Sequence, residues 1–177
     1  MKRLLFPAAA MALVLASVAA SAFDQAEVDE LCARAGRNQG IFELFLVEQK
    51  ARPGPAADGF TCSWSFKHVS SGPGEIDLKL TLEMQPVKSV IAARQEILLA
   101  LLPENHRGKK VEGLSGMGDA AVQRTTTKDK VVQQIEIEAL KDRRRFVFTA
   151  TPQAKVATYR LPGQCINFLG SGLARLR

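Results

Sequence analysis

The segment VEGLSGMGDAAV (residues 111–122) places Gly113, Gly116 and Gly118 within six positions and follows them with Asp119. These residue types serve phosphate loops, catalytic elbows and tight turns alike. The spacing G-x-x-G-x-G is the reverse of a dinucleotide fingerprint, and the segment precedes an expected strand where the fingerprint must follow a strand and open a helix. A nucleophile elbow needs G-x-S-x-G, but here Ser115 is followed by Gly116 and then Met117. What remains is a structural turn: glycines supplying positive φ between helix and strand, with Asp119 bonding to nearby backbone. A small envelope hydrolase would have to use Ser115 and Asp119 at this loop with His106 as base, which proximity permits and no motif supports.

Other chemistry is sparse. His68 and His106 are the only histidines, and neither stands at metal-ligand spacing from a second ligand, so no metal and no cofactor is expected. Glu136 and Glu138 share one strand face and could pair for acid/base work; alternation with Ile135 and Ile137 instead reads as a solvated face opposite a buried one. Trp64 sits in an apolar alternation and reads as core, so base stacking is unsupported and nucleic acid is not an expected partner.

Charge is distributed unevenly. Residues 23–140 carry 14 basic and 17 acidic side chains, whereas residues 141–177 carry 8 basic and only Asp142. The run KDRRR (141–145) reads as a hairpin turn and strand start that projects Lys141, Arg143, Arg144 and Arg145 from one end of a sheet. Guanidinium groups bind carboxylate or phosphate in bidentate fashion, so an acidic protein surface or another anionic envelope component is the expected partner. The structural alternative is that charged turns keep sheet edges soluble and that Arg175 and Arg177 favour a helix C-terminus.

The first 22 residues, MKRLLFPAAAMALVLASVAASA, have two basic residues, a short apolar stretch and small residues at Ala20 and Ala22. This is the pattern of a secretory signal peptide. The expected mature chain begins near Phe23, has no lipidation cysteine at the cleavage point, and carries no transmembrane anchor after cleavage, which makes it a periplasmic or secreted protein. In an oxidising compartment two of Cys32, Cys62 and Cys165 should pair; three connectivities are possible, and Cys32 with Cys62 is favoured because it ties an N-terminal helix to an early strand.

These residues need a scaffold. Asp24 with Glu27 marks a helix start, followed by Val28, Leu31, Cys32 and Ala35 at helical spacing and an end near Gly40. IFELFLVEQ (41–49) reads as a buried strand. Phe60, Cys62, Trp64 and Phe66 alternate in a half-buried strand, and Ile76, Leu78, Leu80, Leu82 and Met84 alternate in the clearest strand of the chain. Residues 87–103 read as a helix burying Val90, Ile91, Ile97, Leu98, Leu101 and Leu102. AAVQRTT, KVVQQIEIEAL and RRFVFTAT give three more strands, and QCINFLGSGLARL a final helix. The expectation is one α+β domain over 23–177, ordered α-βββ-α-βββ-α, with helices on one face of a largely antiparallel sheet.

CSW at 62–64, the middle helix and the VEGLSGMGDAAV turn leading into strands together resemble the small secreted domains of actinobacterial lipoproteins of unknown function. They are also similar to the extracellular sensor domain of mycobacterial serine/threonine kinases, where a Gly-x-Gly-Asp-x-Ala type of turn recurs. The resemblance spans roughly residues 25–150 and departs at Met117, at the additional Cys165 and at the missing lipidation cysteine. It implies a binding or sensing module without known catalysis. The leading expectation is therefore an exported, non-enzymatic binding or interaction protein; the alternatives are the Ser115 hydrolase and a small-ligand sensor.

Overall fold

Asp24 opens the first helix with a reciprocal cap: the Glu27 N–H donates to Asp24 Oδ1 at 2.8 Å, and the Asp24 N–H donates to Glu27 Oε2 at 3.0 Å. The computed structural model describes residues 23–55, 58–153 and 160–176, and the expected signal peptide lies outside them. Helix α1 (Gln25–Ala35) turns Val28, Cys32 and Ala35 inward. The chain then tightens into a 3-10 turn over Gly36–Phe42, and Glu43 at φ 56° redirects it. Strand β1 (Phe45–Pro53) follows.

This corrects the reading of 41–49 as one buried strand. The apolar run is split by the turn: Phe42 enters the core, while Phe45, Leu46 and Val47 stay exposed on an edge strand. Without a clear period, such a run does not show where the chain bends.

The remaining elements are β2 (Phe60–Lys67), β3 (Leu78–Pro86), α2 (Val90–Leu99), β4 (Lys110–Gly113), β5 (Ala120–Lys128), β6 (Val131–Lys141), β7 (Arg144–Pro152) and α3 (Leu161–Arg175). They build one sheet in the order β1-β2-β3-β7-β6-β5-β4, antiparallel throughout. Two meanders therefore meet along β3 and β7. The α+β class, the single unit and the antiparallel pairing agree with the sequence reading. The short edge strand β4 is additional.

One sheet face carries the main core. Phe60, Cys62, Trp64 and Phe66 of β2, Leu78 to Met84 on alternate positions of β3, and Phe146 and Phe148 of β7 lie on it under α1 and α3. Phe168 of α3 places its ring 5.4 Å from Phe42, 5.5 Å from Trp64 and 5.6 Å from Phe148. The Trp64 indole N–H donates to Gln49 Oε1 at 3.0 Å, which satisfies the one polar atom of an otherwise buried side chain. Cys32 and Cys62 are bonded, with Cα atoms 5.5 Å apart, and tie α1 to β2.

Helix α2 lies on the opposite face, where Ala93 and Ile97 pack on Ala120, Val122 and Leu140. Helices thus cover both faces rather than one. Because α2 packs mainly on β5 and β6, it buries a narrow stripe. Ile91, Leu98 and Leu102, expected inside, are exposed.

Both sheet edges are blunted against further strand pairing. On β1 the register shifts between Leu46 and Glu48, and the Gln25 side chain donates to the Ala51 carbonyl at 2.9 Å. On the other edge, β4 is only four residues long and carries an exposed Lys110–Glu112 pair.

Candidate functional site

The glycine segment is a structural loop. The Leu114 N–H donates to the Ala121 carbonyl at 2.9 Å and the Asp119 N–H to the Leu140 carbonyl at 2.7 Å, so the loop is closed on itself and against β6. Met117 enters the core at 5% exposure. Gly116 (φ 75°) and Gly118 (φ 101°) hold positive φ, whereas Gly113 ends β4 and pairs with Val122. A Cβ at Gly118 would press into the Leu140 carbonyl and come within 3.0 Å of Lys141 Cβ; at Gly116 it would meet open space.

Gly118→Ala is accordingly expected to lower stability by about 2 kcal/mol or more, and Gly116→Ala by about 1 kcal/mol, since only the first adds a collision to the left-handed strain. Urea unfolding of the two variants measures the difference. Equal losses would contradict the close approach at Gly118.

The residues of a hydrolase are not assembled. His106 Nε2 contacts the Leu101 carbonyl at 3.1 Å, and no hydrogen bond links His106 to Ser115 or Asp119 among the described residues. Among these residues there is also no group of three His, Cys, Asp or Glu side chains placed to hold a metal. Burial pushes the Cys165 thiol far above its ordinary pKa, so this cysteine is not a nucleophile in the folded protein.

The basic run divides into two kinds of residue. Asp142 (φ 50°) and Arg143 (φ 62°) form the two-residue connection between β6 and β7, the backbone of a type I′ hairpin. The Val87 N–H donates to the Arg143 carbonyl at 2.9 Å and fixes the turn. Lys141 reaches the C-terminal end of α3, donating from Nζ to the Leu173 carbonyl at 2.6 Å, where a cation complements the helix dipole. Arg145 pairs with Glu138 at 2.5 Å and with Glu96 of α2 at 3.0 Å. Two of the four expected anion-binding residues are therefore spent inside the molecule. Arg143 and Arg144 make no ion pair among the described residues.

Arg145 belongs to a network that the sequence reading missed. Arg124 Nη1 donates to Glu136 Oε1 at 2.7 Å and to Glu138 Oε2 at 2.9 Å. The chain of charges thus runs Glu136–Arg124–Glu138–Arg145–Glu96 along the face under α2. Glu138, only 5% exposed on its side chain, is held by both arginines. The IEIE face is consequently a packed, neutralised surface rather than a solvated one. Antiparallel register is the cause: Arg124 stands opposite Glu136, and Val122 opposite Glu138. Sequence parity did not signal this pair: a regular hairpin continued from Lys128 and Val131 would set Arg124 opposite Ile135, and the register shift between Thr126 and Thr127 brings it opposite Glu136 instead.

Beyond the C-terminal end of α2, the connection to β4 leaves an open cleft of about 320 Å³ over Arg124 and Glu136. Leu99 and Ala100 supply its apolar wall, and Arg107 and Lys109 its cationic side. The Asn105 side chain donates to the Leu99 carbonyl at 2.7 Å, and His106 takes the Leu101 carbonyl. Two carbonyls at the negative end of the helix are thereby occupied.

Fold and site together define a disulfide-braced α+β protein with a charged network under its middle helix. No family model matches the chain, and no curated protein or solved structure matches it significantly. Among the described residues no helix is long and apolar enough to cross a membrane.

Proposed function

We propose that this is an exported, non-enzymatic binding protein that engages an acidic partner, protein or other envelope component, through the β6–β7 turn. The observation that carries the reading is the pair Arg143 and Arg144, which make no ion pair among the described residues, on a turn whose neighbours Lys141 and Arg145 are taken up inside the molecule. A held turn presents its guanidinium groups with little further ordering on binding. The Cys32–Cys62 bridge supports a compartment outside the cytoplasm, and the pattern of residues 1–22 supports export to the periplasm or the medium. The resemblance to secreted sensor and lipoprotein domains points the same way, to binding rather than catalysis.

The test uses Arg143→Gly with Arg144→Ser. Glycine suits the second position of a type I′ turn better than arginine does, so the charge is removed without loss of the hairpin. Mature protein and variant are used as baits in native envelope extract at low and high salt. One stoichiometric partner that is lost in the variant and released by salt supports the proposal. The same proteins on both baits, or none on either, overturns it. Arg145 is left intact because its removal would take one of the two arginines from the buried Glu138.

A further inference from the structure

The cleft beyond the C-terminal end of α2 has features that its structural role does not require. Arg124 spends only Nη1 on its two carboxylates; its Nε and Nη2 donors have no partner among the described residues, and Arg124 is one of the residues that line the cleft. Arg107 and Lys109, which also line it, likewise make no ion pair among the described residues. Two carboxylates hold the Arg124 side chain, at 19% exposure, while its remaining donors stay open to solvent, so an anion can take them without breaking an existing pair.

The charge balance selects the ligand. Among the lining side chains, Arg107, Lys109 and Arg124 stand against Glu96 and Glu136, one positive charge in excess. A single negative charge completes the set, whereas a doubly charged phosphate would exceed it and meet Glu96 and Glu136. The volume, about 320 Å³, holds on the order of ten waters, and it lies at the small end of the range for ligand pockets. Leu99 and Ala100 offer an apolar surface beside the cations.

We propose that this cleft binds a small organic monocarboxylate. Its carboxylate is received by the free edge of Arg124 with Arg107 and Lys109, and its apolar portion rests on Leu99 and Ala100. The planar guanidinium matches a carboxylate in bidentate geometry, and the pre-existing ion pairs hold Arg124 in place before the ligand arrives. This site is separate from the β6–β7 turn, and its success or failure is independent of the acidic-partner reading.

The experiment is an amide chemical-shift titration of the mature protein with acetate, butyrate, benzoate and phenylacetate, beside neutral benzamide and inorganic phosphate. The expected result is saturable shifts confined to residues 96–109, 124 and 136, strongest for benzoate or phenylacetate and absent with benzamide. Arg107→Gln with Lys109→Gln changes two side chains outside the network, so folding should persist, and it should weaken binding about tenfold. Arg124→Lys keeps the charge but removes the fork, and should abolish the shifts if it folds. The inference is overturned if none of the carboxylates binds, if benzamide or phosphate shifts the same residues equally, or if the double variant binds as tightly as the parent.

Discussion

Replacing Cys32 and Cys62 together with alanine is expected to lower the unfolding free energy by about 4 kcal/mol. The bridge spans a sequence separation of 30, and in the chain-entropy model closing a loop of that length removes about this much freedom from the unfolded chain. Both sulfurs are fully buried between α1 and β2, so a small packing loss adds to it. Chemical unfolding with and without reductant measures the effect. A loss below about 1 kcal/mol would mean that α1 holds to the sheet without the bond. Titration of thiols provides a companion check: the native protein should show none, because Cys165 is buried and its thiol is pushed up by burial. One should appear on unfolding.

Phe168→Ala is expected to be of similar size, about 4 kcal/mol. The ring touches Phe42, Trp64 and Phe148 at once, so it joins the 3-10 turn, β2, β7 and α3. Removing it takes away apolar burial and leaves a cavity that three rigid rings cannot close. Phe168→Leu, which retains most of the volume, should lose about 1.5 kcal/mol. Trp64 is the only tryptophan, and its fluorescence reports both unfolding and any loosening of this cluster. If Phe168→Ala unfolds at the denaturant midpoint of the parent protein, α3 is not docked as described.

Several features were legible because they are local. Asp24 and Glu27 stand at the spacing a capping box needs, and the cap forms. Trp64 alternates with Cys62 and Phe66, and all three lie in the core. The β3 residues Leu78, Leu80, Leu82 and Met84 are buried on one face as their period of two required. Of the three possible cysteine pairings, the favoured one, Cys32 with Cys62, is the one that forms.

The features that were not legible depend on which surfaces meet. Residues 87–103 are apolar on every side, so periodicity could not assign a buried stripe; contact with β5 and β6 selected Ala93 and Ile97 and left Ile91 outside. Composition marked 141–145 as a basic run, but it could not divide the run. Arg145 is consumed by Glu96, a residue 49 positions away, and Lys141 by the end of α3. The cleft depended still more on assembly, since Arg107 and Lys109 come from a connection and Arg124 from a strand. By itself, then, the sequence determined the α+β class and the inward side of the periodic strands, since a period of 2 or 3.6 is written in neighbouring residues, and it favoured one of three cysteine pairings without deciding it. Only the tertiary structure decided which sheet face each helix covers and which charges remain free, because both follow from strand order and register between distant segments.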